Sequence, residues 1–356
     1  LVSDQTDFRQ IDSSVAMLTG EAAGQQVEHQ DKHLARAVSK PWSDVPGVAE
    51  DPTYYERPML KEPVWIWAVP LYFYVGGLSG AALTMAAAAQ LLDGRRLWRF
   101  VRDCRWIGGI GGGIGSALLI ADLGKPSRFL NMMRVFRPTS PMSIGAWVLA
   151  GAAPFGLGTA LWSHNPGFRG RAADLVGLAG GALGMPLAGY TAVLISNSAI
   201  PVWQGARRAM PFLFISSSMA SLASFYQIIG VPRTARTTLT IFGTAGRVAE
   251  IAALKAVEKE AAKVERVARP LRRGASGIVL TIAGALNAAS LILSLWPGRS
   301  RKRQLAAGIL GTAGSIALRY GIYYAGRASA QDPRASFHQQ RQGYGARELK
   351  QAVYHG

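Results

Sequence analysis

Six polar residues stand near the ends of long apolar runs, and their chemistry fits a ring that carries two oxygens. They are Tyr72, Asp122, Ser140, Ser143, Tyr190 and Asn197. Phenols, hydroxyls and an amide donate hydrogen bonds to carbonyl oxygens, and a carboxylate accepts a proton. Flanked by Trp65, Trp67 and apolar walls, the set suits a quinone headgroup, with Asp122 as the acceptor for a proton that quinol gives up. Gly76, Gly77 and Gly80 let a neighbouring helix or a flat ring come close. Plainer readings stand beside this one: the tyrosines as packing aromatics, and Asp122 as a partner of Lys125 or Arg128.

These residues meet only if the chain threads a membrane back and forth. Of 356 residues, 49% are hydrophobic and 17% charged. The apolar runs are apolar all round, as helices in lipid are and the amphipathic helices of a soluble domain are not. At roughly 20 residues per crossing, the expectation is an all-α integral membrane protein, a bundle of about eight transmembrane helices. The spans fall at 63–92, 106–121, 144–162, 175–198, 210–229, 238–254, 277–296 and 305–325. Tyr72 then lies roughly 13 Å into the first span at 1.5 Å per residue. Asp122 closes the second span, Ser140 and Ser143 open the third, and Tyr190 and Asn197 lie in the returning half of the fourth. All six converge on one face. The sixth span is interrupted by Arg247 and Glu250, and the charged helix-forming stretch at 247–273 extends it beyond the lipid.

Residues 1–62 mix acids, bases and glutamines, with three prolines between 40 and 52, and read as an extended polar N-terminal arm. The bundle follows at 63–326, divided into a quinone-site half, 63–203, and a second half, 204–326. Residues 327–356 form a polar tail. The arm has no apolar core of a signal peptide, so the first span reads as a signal-anchor, and the start at Leu1 as missing or processed. Lysines and arginines fall on both sides of the bundle, with a slight bias towards a cytoplasmic N-terminus.

Several chemistries are excluded. The net charge of +18 resides in clusters between apolar runs, which fits anionic lipid headgroups. No basic groove with interleaved aromatics points to nucleic acid. The five histidines, His29, His33, His164, His338 and His355, lie outside the apolar runs, so no pair ligates a haem inside the helices. Cys104, the single cysteine, falls in what reads as a polar loop and cannot hold an iron–sulfur cluster alone. No haem, cluster or metal is expected on this chain, and redox centres would sit on a partner. Arg247 and Glu250, three apart on one helix, and Arg319 fall in the halves of their spans nearest the same face. They are candidates for a proton path, or else an interfacial ion pair. A scaffold without quinone turnover stays open as an alternative; a transporter would show broken helices meeting at mid-membrane.

Three stretches carry a family resemblance: PVWIWAVPLYFYVGGLSGAA from residue 63, ADLGKPSRFLNMMRVFRPTSPMSIGAW from 121, and YTAVLISNSAIPVW from 190. They resemble the NrfD/PsrC family, the polysulfide reductase membrane subunits. The resemblance implies a haem-free, quinone-reactive membrane anchor using menaquinone or ubiquinone in a prokaryotic inner membrane. It implies a ferredoxin-like partner bearing [4Fe–4S] clusters, and beyond it a molybdopterin oxidoreductase subunit. By position it puts the quinone site at Tyr72, Asp122 and Tyr190. Some members carry histidine where Tyr72 stands and an amide where Val69 stands. Likeness to subunits of alternative complex III allows Arg247, Glu250 and Arg319 a proton-translocating role.

Overall fold

In lipid, no water satisfies a backbone left open, so apolar runs of this length close their hydrogen bonds within helices. The computed structural model describes residues 11–12, 17–18, 58, 60–163, 168–298 and 300–336. The chain divides into two units, Leu1–Glu50 and Asp51–Gly356. In the first, Ile11–Asp12 (β1) pairs antiparallel with Met17–Leu18 (β2), Ile11 opposite Leu18. The rest of the proposed arm before residue 58, and the tail beyond residue 336, lie outside the described residues.

The second unit is helical. Its long helices are α1 (Ala68–Gly94) and α2 (Arg96–Asp122), then α4 (Pro141–Trp162), α5 (Phe168–Ser196), α7 (Met210–Ile229), α8 (Arg236–Ala261), α10 (Gly274–Leu295) and α11 (Arg301–Ala330). Short helices α3 (Arg128–Met132), α6 (Pro201–Gly205) and α9 (Glu265–Arg272) lie between them. Seven helices are long and apolar enough to cross a membrane: α1, α2, α4, α5, α7, α10 and α11. The eighth of the approximate eight is α8, which is as long as its neighbours but carries buried Arg247 and Glu250 and ends on Lys259 and Glu260. It lies along α7, where Gly243 and Gly246 bring its backbone against Ala223 and Met219.

Two boundaries differ from the sequence expectation. The first helix starts at Ala68, and residues 61–66 carry no regular secondary structure. After a single extended residue, Asp93 (φ −161°, ψ 69°), the helix resumes at Arg96, well before residue 106. Leu97, Phe100, Val101 and Cys104 form a buried stripe there, while Arg96 and Arg99 stay outside. An amphipathic turn of this kind escapes a count of uncharged residues. Cys104 is therefore buried in α2 rather than in a polar loop, with its Sγ 3.2 Å from the Tyr226 hydroxyl. Arg105 beside it is buried as well. Its guanidinium donates to Ser163 Oγ (2.6 Å), Gln90 Oε1 (2.7 Å) and Asp174 Oδ1 (3.1 Å), pinning α1, α2 and α5 together at one end of the bundle.

The charged stretch after α8 also departs from the expectation of one continuing helix. α8 stops at Ala261, and α9 begins at Glu265, because Val264, Val267, Ala268 and Leu271 bury an apolar stripe against the bundle. Glu260 Oε2 accepts from the Ala209 N–H at 2.9 Å, tying the end of α8 to the start of α7.

Candidate functional site

Residues 61–65 form a strap without regular secondary structure across one end of the bundle, and beneath it α1, α2, α4 and α5 enclose a cavity of about 700 Å³. The strap has no helix to satisfy its carbonyls, so side chains of α11 do it. Tyr323 donates its hydroxyl to the Trp65 carbonyl (2.7 Å) and the Pro63 carbonyl (3.3 Å), and Tyr320 donates to Trp67 (2.8 Å). Glu62 accepts from Arg327 at 3.2 Å and from Gln331 at 2.7 Å. The Trp65 indole stacks with Trp203 (5.8 Å, 9°) and with Tyr323 (6.0 Å, 21°). Trp203 is itself fixed by donating its indole N–H to the Ile322 carbonyl at 2.9 Å.

Tyr72 on α1 and Tyr190 on α5 meet inside the cavity, hydroxyl to hydroxyl. In such a pair one hydroxyl donates to the other, and the second keeps its hydrogen for a ligand. Glycines make the room. A Cβ on Gly76 or on Gly115 would stand 3.0 Å from the Tyr72 ring, and one on Gly145 would overlap the Tyr190 ring. The glycine of the GAW sequence at 145–147 is thus the floor of the Tyr190 pocket. Gly80 serves the other purpose, since a Cβ there would strike the backbone of Gly184 and Ala188 where α1 and α5 cross.

Asp122 is the last residue of α2, and the DLG sequence follows from its place. Gly124 turns the chain with φ 68°, a left-handed conformation that glycine takes without a Cβ clash. Asp122 Oδ1 accepts the Ile66 N–H of the strap at 2.9 Å, which leaves the other oxygen available at the cavity. Ser140 is the N-cap of α4, accepting the Ser143 N–H at 3.4 Å, with Pro141 at the first helical position. Its hydroxyl lines the cavity. Asn197 also lines it, with one amide hydrogen committed to the Val193 carbonyl at 2.8 Å. Ser143 stands apart. Its Oγ accepts from the Arg137 N–H (3.0 Å) and donates to the Val135 carbonyl (3.4 Å), so it folds the loop before α4 and is not part of the cavity wall.

The sequence pattern of the family described as Polysulphide reductase, NrfD, matches residues 58–330. This chain belongs to the NrfD family. It is a multi-pass membrane protein, and its family's members are membrane subunits of multi-subunit oxidoreductases. No curated protein matches the chain.

Elsewhere in this NrfD protein, Arg247, Glu250 and Arg319 are buried between α7, α8, α10 and α11, outside the cavity wall. Glu250 Oε1 accepts from Asn287 Nδ2 at 2.9 Å and lies within electrostatic reach of both arginines. Arg319 donates to the Phe214 carbonyl (2.9 Å) and Ser218 Oγ (3.2 Å), with its guanidinium 3.9 Å over the Phe214 ring. Phe214 packs 5.9 Å from Phe73, which lines the cavity, so one aromatic layer separates the two sites. Arg247 does not share their depth. It reaches Ser224 Oγ (3.0 Å) and Gln227 Oε1 (2.9 Å) in the last turns of α7, towards the opposite face, because its long stem carries the guanidinium away from Glu250.

The five histidines lie outside the described residues. Among the described residues no group of three His, Cys, Asp or Glu could hold a metal ion. Sequence reasoning missed Glu62, Tyr320, Tyr323, Arg327 and Gln331 as supports of the site. Aromatics at span ends were a general hint of an interfacial belt, but nothing local pairs Glu62 with a residue 265 positions away.

Proposed function

We propose that this NrfD subunit binds quinone or quinol in the cavity beneath the strap and exchanges electrons with a partner subunit bearing iron–sulfur clusters, in a prokaryotic respiratory inner membrane. The observation that carries the reading is the Tyr72–Tyr190 pair, which keeps one free O–H in the same apolar cavity as a free oxygen of Asp122. A quinone headgroup fits these residues. The tyrosine pair and Ser140 hold the ring oxygens, the walls of α4 and α5 exclude water, and Asp122 takes the proton of a quinol hydroxyl or returns it. The bound quinol supplies two electrons, which pass to the partner's clusters, and two protons, which leave one after the other through Asp122 to water at that end of the bundle, returning it to the carboxylate. A molybdopterin subunit beyond that partner would carry the chemistry of the terminal substrate.

The test uses the purified intact complex, with partner subunits verified as bound. Tyr190→Phe is expected to lower quinone-dependent electron transfer about ten-fold, the loss of one hydrogen bond to a reacting oxygen, and Asp122→Asn about 100-fold, the range for losing a positioned proton acceptor. Unchanged rates in both variants with assembly intact would leave a structural anchor without quinone turnover.

A second reading rests on a separate observation. In the buried cluster, Glu250 Oε2, Asn287 Oδ1, Arg247 Nε and both Nε and Nη1 of Arg319 reach no partner among the described residues. Unmet donors and acceptors within one part of the bundle are what a proton relay needs, and ionisable groups inside a membrane bundle are costly unless used. We propose that these three residues carry protons in step with quinone chemistry. The double variant Glu250→Gln with Arg247→Gln keeps the cluster's net charge. In proteoliposomes it is expected to turn over quinol and lose at least half of the protons moved per electron; an unchanged proton yield refutes the relay.

A further inference from the structure

Trp65 is held by residues of the motif-bearing half and by Tyr323 of the last helix together. Trp203 and Tyr323 stack near-parallel with its indole at 5.8 and 6.0 Å, and Phe73 meets it edge-on at 6.1 Å and 87°. The backbone on either side is held as firmly. Tyr323 takes the Trp65 carbonyl, Asp122 takes the Ile66 N–H, and the Glu62–Arg327–Gln331 contacts anchor the strap upstream. This packing fixes the plane of the ring and leaves its polar atom on the edge. The indole N–H makes no hydrogen bond to any described residue, and the side chain lines an apolar cavity. It is not one of the sealed, unpartnered polar atoms of the bundle, so a ligand oxygen can reach it, and a tryptophan N–H beside apolar walls is a donor in want of a partner.

We propose that the Trp65 indole N–H is a ligand of the quinone headgroup, donating to a ring oxygen alongside the tyrosine pair, and that Tyr323 and Arg327 of α11, with Gln331 at its C-cap, are its positioning residues. The inference rests on the quinone reading above. It assigns the last helix a share in a site whose recognisable sequence lies in the first half. Because ring stacking and the hydrogen bonds of the strap hold the indole in place, it selects a ligand by where the oxygen stands rather than by adjusting to it.

The test measures binding of a short-chain quinol to the intact complex in nanodiscs, in its benzoquinol and naphthoquinol forms, together with steady-state turnover. Trp65→Phe removes the N–H and keeps an aromatic ring. Incorporation of benzothienylalanine at position 65 replaces the N–H by sulfur and keeps the shape and the ring stacking. In each variant Kd and KM for the quinol are expected to rise about three- to ten-fold, the loss of one hydrogen bond, with kcat changed less than two-fold. Wild-type Kd in the benzothienylalanine protein would overturn the proposal and leave Trp65 as packing alone. Wild-type protein that binds neither quinol would instead overturn the quinone reading itself, so the two failures are distinct.

Discussion

In a Gly145→Ala variant, quinone-dependent electron transfer is expected to fall about 100-fold while the complex still assembles. The added methyl would occupy space now filled by the Tyr190 ring, and the buried backbone of α4 has little freedom to retreat. Tyr190 must then swing off Tyr72, and their shared hydroxyl contact is lost. A displacement of about 1 Å at a reacting group costs on the order of 100-fold in rate. Gly113→Ala is the control. A Cβ at Gly113 meets nothing within 4 Å, so that change should leave the rate alone and favour the helix slightly. Turnover of the Gly145→Ala complex at the wild-type rate would mean that Tyr190 does not touch the reacting molecule.

Glu250→Gln alone is expected to destabilise the protein by about 3 kcal/mol, because two buried guanidiniums lose the carboxylate whose charge they feel. Glu250, Arg247 and Arg319 are exposed by 2%, 2% and 1%. Removing the carboxylate leaves two guanidiniums with no opposite charge among them, in surroundings where neither water nor salt screens the repulsion. Thermal unfolding in detergent should show the loss, and adding Arg247→Gln should recover most of it. A single variant as stable as wild type would mean that the three groups do not share one electrostatic site.

The bundle was legible because lipid imposes a simple pattern, and seven of its helices stand out as apolar runs. Depth counting also brought Tyr72, Asp122, Ser140, Tyr190 and Asn197 towards one end, and these residues do line one cavity. It failed for Ser143, whose hydroxyl serves the local loop. What decides that difference is the direction of a side chain at a helix start, which spacing does not encode. Cys104 was misread for the opposite reason: the charges around it suggested a loop, while the buried stripe through Leu97, Phe100 and Val101 makes a helix. The strap was invisible because its supports are long-range. No local rule links Trp65 to Tyr323, whose hydroxyl it needs 258 residues away.

That separation sets an order of events during synthesis. Every residue of the recognisable motifs, from Trp65 to Trp203, is made and inserted before α11 exists. Until Tyr320, Tyr323 and Arg327 arrive, the strap has Asp122 and Trp203 to hold it but no donors for its carbonyls and no partner for Glu62. A nascent chain interrupted anywhere before its last helix would thus carry the family's signature in full with the strap above the cavity only half anchored. The final helix completes that anchorage last, so only a finished subunit has its cavity roof tied down at both ends.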